Sequence, residues 1–107
     1  MTLDDELFRA ATAAFAEPFD GVIRIETEGR APIWVDGRPA PPRIVASAPA
    51  DLPPDGLGLC VWFAARDTVL RILEEERFLA SSFVSGRLNL AGDMSVMARL
   101  RLGAPHG

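Results

Sequence analysis

The chain has 107 residues, 49 % of them hydrophobic and 24 % charged, a balance that fits one globular domain with a single core and excludes a disordered chain. Its eleven basic residues are all arginine and lie scattered along a chain of net charge −4, which argues against nucleic acid as a partner. The lone Cys60 excludes an internal disulfide, and no apolar stretch approaches the ~20 residues that cross a bilayer.

Leu3, Leu7, Phe8, Ala11, Ala14 and Phe15 recur at three- and four-residue spacings, so an amphipathic helix is expected from Leu3 to Ala16. Thr2 with Asp5 has the form of a capping box, and Pro18 ends the run. The start, Met1-Thr2-Leu3-Asp4-Asp5-Glu6, lacks the basic region and apolar run of a secretory signal, and a reducing cytoplasmic setting is expected. An acidic first turn does not suit an anionic membrane, and stable membrane anchoring is not expected.

From Gly21 the period changes to two. Ile23, Ile25 and Thr27 alternate with Arg24 and Glu26, a strand buried on one face. Glu28-Gly29-Arg30 supplies a turn into a second strand, Ile33-Trp34-Val35-Asp36, with Ile33 and Val35 towards the core. Arg43 to Ala48 is a weaker strand candidate. Six of the nine prolines fall between Pro39 and Pro54, which bars continuous helix and leaves an extended covering segment.

Leu57 to Ala65 is the most apolar stretch and is expected to be a strand buried on both faces. Asp67 stands where it would cap a following helix that buries Val69, Leu70, Ile72 and Leu73 and sends Glu74, Glu75 and Glu76 to water. Phe78, Leu79 and Phe83 extend that apolar face to about Val84. Leu88 and Leu90 then alternate with Arg87, Asn89 and Ala91 as a closing strand. Gly92 turns the chain, Asp93 is placed to cap, and a helix is expected from Met94 through Met97 and Leu100, ending at Gly103 and Pro105.

Catalytic chemistry is absent from this pattern. There is no glycine-rich phosphate loop, no metal-ligand spacing and no cofactor motif, so no catalytic residue, metal or cofactor is expected. Ser81, Ser82 and Ser85 have only His106 in the whole chain as a base, and Cys60 sits mid-strand among large apolar residues that keep a thiol protonated. Consecutive glutamates 74–76 diverge by about 100° each around a helix, which makes a solvated face.

The string Phe83-Val84-Ser85-Gly86-Arg87-Leu88-Asn89-Leu90-Ala91-Gly92-Asp93-Met94, followed by Met97, Arg99 and Leu100, resembles the carboxy-terminal signature of the sterol carrier protein type 2 (SCP2) family, Phe-x-Ser-Gly-Lys-Leu-x-Ile-x-Gly-Asp-Met with a Met- and Leu-bearing terminal helix. The likeness extends more loosely over Phe19 to Leu102. It departs at Glu74 to Leu79, where the family has a Thr-Gly-Lys-Leu-x-Pro-like turn. The resemblance implies an α+β fold over residues 1–107, a five-stranded, mainly antiparallel sheet with helices on one face and an apolar tunnel between. It also implies non-catalytic carriage of a hydrophobic ligand: a fatty acid, fatty acyl-CoA, phospholipid, isoprenoid or sterol-like molecule. Carried over by position, Ile33, Val35, Cys60, Trp62, Leu88 and Leu90 face that tunnel, with Phe15, Leu73 and Phe78 around it; Phe83, Met94, Met97 and Leu100 close it. Arg99 and Arg101 are candidates for an anionic head group, against the plainer role of last-turn arginines favouring the helix dipole.

Parity adds a second expectation. With Cys60 and Trp62 inward, Val61, Phe63 and Trp34 point outward and form an apolar patch of the kind that partners cover, here a possible homodimer packed sheet to sheet. The rival reading is an accessory module with a filled core, acting through the Trp34–Phe63 face in lipid or quinone metabolism.

Overall fold

The computed structural model describes residues 4–53, 56–74 and 79–100. The elements follow the order α1 (Asp5–Ala14), β1 (Val22–Glu26), β2 (Ile33–Asp36), β3 (Arg43–Val45), β4 (Leu59–Ala64), α2 (Arg66–Leu73), α3 (Leu79–Val84), β5 (Leu88–Gly92) and α4 (Ser95–Arg99). The five strands form one sheet in the order β3-β2-β1-β4-β5. All neighbours are antiparallel except the central pair, β1 and β4, which run parallel. The expected α+β architecture, with a mostly antiparallel five-stranded sheet, is the observed one.

Alternation in the strands decides what each face carries. Cross-strand partners set two rows on the inner face: Ile44, Val35, Ile23, Cys60 and Gly92 in one, Ile33, Ile25, Trp62 and Leu90 in the next. Leu7, Ala11 and Ala14 of α1, Val69, Ile72 and Leu73 of α2 and Val96 of α4 pack onto those rows, so the helices share one side of the sheet. The outer row is Val45, Trp34, Arg24, Val61 and Ala91.

Boundaries and caps differ from the sequence expectations in specific ways. The first helix starts at Asp5 because Asp4 is its cap: the Leu7 N–H donates to Asp4 Oδ1 at 3.1 Å. Thr2 of the expected capping box lies outside the described residues. Asp67 does not cap α2. Ala65 holds the cap position without a side-chain bond, and Asp67, one residue inside the helix, accepts from Arg71 at 2.8 Å. β4 is not buried on both faces; Cys60 and Trp62 are fully buried while Val61 is half-buried and Phe63 exposed, because the helices cover one side of the sheet. The last helix begins at Ser95, one residue after the expected start; Met94, not Asp93, holds the cap position, without a side-chain bond, and Asp93 just before it accepts from the Ser95 N–H at 3.0 Å.

Two turns depend on glycine. Gly92 has φ +90°, and a Cβ there would stand 2.5 Å from the Leu59 carbonyl oxygen, so β5 can close against β4 only with hydrogen at this position. Gly86 has φ +82° after α3; its N–H donates to Phe83 O at 3.1 Å and the Arg87 N–H to Ser82 O at 2.9 Å, a Schellman motif.

Candidate functional site

The space between the inner sheet face and the helices is the candidate site. Phe15, Ile33, Val35, Cys60, Trp62, Leu73 and Leu88 meet there in one buried cluster. Leu90, Met97 and Leu100 are half-buried against it. Phe83 and Met94 are turned to solvent, 49 % and 43 % exposed, because neither follows the side of its helix that meets the sheet. Phe78 lies outside the described residues.

Trp62 is the centre of this cluster. It is fully buried, its ring is 5.9 Å from that of Phe15, and Phe15 is in turn 6.0 Å from Phe19. The indole N–H donates to the Met97 thioether at 3.3 Å. Sulfur is a weak acceptor, so this buried donor is only modestly satisfied. Cys60, one row away, is fully buried, and desolvation pushes its thiol up to about 11; it stays protonated at neutral pH.

The covering elements are fastened by polar clasps at both ends of the sheet. At one end the Asp93 carboxylate accepts from the Gly58 N–H at 2.7 Å, the Ser95 N–H at 3.0 Å and the Ser95 hydroxyl at 2.6 Å. The hydrogen bond from Ser95 leads in holding the Asp93 carboxyl below its ordinary range, helped by Gly58 and the Ser95 amide. Arg99 reaches from α4 to the carbonyls of Phe19, at 3.1 Å, and Asp20, at 2.8 Å. Arg99 therefore holds the last helix to the loop before β1; Arg101 lies outside the described residues. At the other end Asp4, buried, pairs with Arg66 of α2 and lies 3.5 Å from Arg30 of the β1–β2 turn, while Glu6 takes a second Arg66 N–H. The Arg66 hydrogen bond is the main cause that lowers the Asp4 carboxyl, and burial works against it. Neither clasp was visible in the sequence, because each joins segments 26 to 80 residues apart.

On the outer face, Trp34 is only 9 % exposed. Its cross-strand neighbour Arg24 lays a guanidinium 5.3 Å from the ring centroid and pairs with Glu26. The expected patch is thereby narrowed to Val61 and Phe63, the latter 41 % exposed. Phe63 also lines a cleft of about 500 Å³ at the carboxyl ends of β1 and β4, together with Glu26, Glu28, Arg30, Arg87 and Asn89. A second cleft of about 390 Å³, with Asp20, Leu57 and Asp93 in its wall, lies at the opposite end of β4. Neither cleft is lined by the expected tunnel residues. Among the described residues, no three His, Cys, Asp or Glu side chains gather as a metal site, and no helix is long and apolar enough to cross a membrane.

No family profile and no curated protein matches the sequence. Solved structures do match the fold. A structure titled UbiJ-SCP2 Ubiquinone synthesis protein shares 18 % identity at a TM-score of 0.53, covering 90 % of this chain and 75 % of its own. Apo sterol carrier protein 2 from Yarrowia lipolytica shares 14 % at 0.53, with the same coverage. Sterol carrier protein-2 like-3 from Aedes aegypti shares 14 % at 0.56, over 88 % of this chain and 86 % of that one.

Proposed function

We propose that this protein, whose fold is SCP2-like, binds a hydrophobic ligand non-covalently between the inner sheet face and its helices. The observation that carries the proposal is the apolar floor with one polar handle: Trp62, fully buried among aliphatic and aromatic side chains, offers its N–H to nothing stronger than a thioether. A carbonyl, carboxylate or hydroxyl oxygen is a better acceptor than sulfur, so a ligand with one oxygenated head and an apolar body gains by displacing Met97. Fatty acids, acyl esters, sterol-like molecules and isoprenoid quinone precursors share that design. Burial of about 300 Å² of ligand hydrocarbon contributes about 7 kcal/mol before the cost of association.

Admission requires a wall to move. Helix α4 has five residues, buries only Val96 completely, and is held mainly by the polar clasps at Asp93 and Arg99. Met97 and Leu100 form its inner side and adapt to different ligand shapes as the helix lifts. Binding is coupled to this displacement.

The test is native mass spectrometry of freshly purified protein with lipid extraction, followed by titration with cis-parinaric acid read as energy transfer from tryptophan. Co-purified lipid, saturable transfer and weaker binding by Trp62→Phe are expected. Clean apo protein that ignores the probe would instead support the filled-core reading. That reading draws on Phe63, whose exposure beside Val61 leaves a surface for a second copy of the chain.

A further inference from the structure

We propose that the interior described above takes a lipid with two uncharged oxygen groups, one on the Trp62 indole N–H and the second on the hydroxyl of Ser82. The inference rests on the ligand binding proposed above and deepens it, adding a residue to the site and narrowing the class of ligand.

Ser82 has no exposed surface, and its Oγ makes no hydrogen bond. A buried hydroxyl left in that state costs free energy, and native folds keep few of them. The backbone of the same residue is well bonded: its carbonyl accepts the Arg87 N–H at 2.9 Å and the Ser85 hydroxyl at 3.1 Å. A hydroxyl in a helix commonly turns back to the carbonyl one turn earlier, as Thr12 does to Phe8 at 2.9 Å, and Ser82 does not. Close approach of α3 to β5 calls for a small side chain, which alanine would supply without stranding a polar atom.

The side of α3 that carries this hydroxyl meets the ligand space. Leu79 and Ser82, three residues apart, share one side of the helix, and Leu79 packs on the buried cluster that contains Trp62. α3 lies on β5, where Leu90 is the cross-strand partner of Trp62. Ser82 thus stands over the strand next to that of Trp62, and adjacent strands are about 4.8 Å apart. Two oxygens a few bonds apart in one lipid head cover that step.

The two handles differ in kind. The Trp62 N–H only donates, at present to the Met97 thioether at 3.3 Å, whereas a serine hydroxyl both donates and accepts. One ligand oxygen must therefore accept, and the second is free to do either. Charge narrows the choice further. The inner strand positions paired across the sheet carry no charged side chain. Arg66 and Arg99, at the two ends of the sheet, are engaged by Asp4 and Glu6 and by the carbonyls of Phe19 and Asp20. A carboxylate or phosphate held between the handles would be left unpaired in an apolar space. Long-chain diols, hydroxy ketones and monoesters of polyols have the required pair of uncharged oxygens.

The experiment displaces cis-parinaric acid from the full chain with 1-dodecanol, dodecane-1,2-diol and dodecane-1,4-diol. For wild type, at least one diol is expected to displace the probe at about fivefold lower concentration than 1-dodecanol. Ser82→Ala is expected to erase that advantage while melting no lower than wild type, since the hydroxyl it removes makes no bond within the protein. Alcohols that bind wild type with no gain from a second hydroxyl, or an advantage that survives Ser82→Ala, would overturn this inference and leave the binding function standing. A melting temperature lower by more than about 4 °C in Ser82→Ala would show the hydroxyl already bonded and overturn it as well. Wild type that binds neither the probe nor any of the three alcohols would end both readings together.

Discussion

Replacement of Trp62 by Ala tests both the packing and the use of the interior. Trp62 has no exposed surface, lies between Ile25 and Leu90 in its cross-strand row, and meets Phe15 and Met97 from the helical side. The strands on either side hold the sheet at fixed spacing, so the site collapses only from the helix side and most of the cavity persists. Tryptophan-to-alanine changes in such sites cost about 3–5 kcal/mol. At about 2.1 cal/mol/K per residue, a 107-residue chain has an unfolding entropy near 225 cal/mol/K, and the loss corresponds to a melting temperature lower by about 13–22 °C. Dodecanoic acid at a hundred times its dissociation constant restores about 2.7 kcal/mol, or about 12 °C. Differential scanning calorimetry with and without the acid reads both quantities. A loss under about 1 kcal/mol would refute close packing around Trp62, and the absence of any ligand-induced rise in both wild type and Trp62→Ala would refute the interior as a binding space.

Asp4→Asn keeps a capping oxygen but removes the charge facing Arg66 and Arg30; urea titration at pH 7 should show a loss of about 1 kcal/mol after solvent screening, and Asp4→Ala about 1 kcal/mol more as the cap goes. Because the folded-state carboxyl is lowered from 3.8, its stabilisation is fully present above that value and fades as pH falls through the folded pKa, so the gap between wild type and Asp4→Asn should close in acid and stay constant from pH 5 to 7. Gly92→Ala places a Cβ against the Leu59 carbonyl at φ +90°; a drop of about 1–3 kcal/mol in urea is expected, and an unchanged midpoint would contradict the geometry. Phe63→Arg should convert a dimer to monomer in sedimentation velocity, and a wild-type monomer at micromolar concentration would end the sheet-to-sheet association. Cys60 should resist a thiol reagent in the native state and react on unfolding, since its thiol is buried with a pKa near 11; rapid native labelling would show that the inner face opens readily.

The parts of the site that were legible in the sequence are those set by alternation. Ile33, Val35, Cys60, Trp62 and Leu88 could be assigned to one face because successive strand residues point to opposite sides, and the same parity put Trp34, Val61 and Phe63 on the other. Gly92 was legible for a local reason too, as a turn acts within a few residues; Asp93 does accept from the Ser95 N–H, but the cap position falls to Met94. The errors were equally local. Asp67 looked like a cap by type, but the fold starts α2 at Arg66, and Asp4 caps α1 where Thr2 was expected. Trp34 was on the predicted face, yet its burial depended on where the Arg24 guanidinium comes to rest, which strand parity does not encode.

By itself, then, the sequence determined a small α+β chain, the inward and outward sets of each strand, and the glycines that turn it, since periodicity and backbone restriction act between near neighbours. Tertiary structure alone decided that β1 and β4 run parallel at the centre of the sheet, that Asp4 binds Arg66, that Arg99 returns to the carbonyls of Phe19 and Asp20, and that Phe83 and Val84 face water. Those outcomes depend on how distant segments close on one another. Contacts between residues 62 to 80 positions apart, and the side of a short helix that finds no neighbour, leave no periodic trace in the chain.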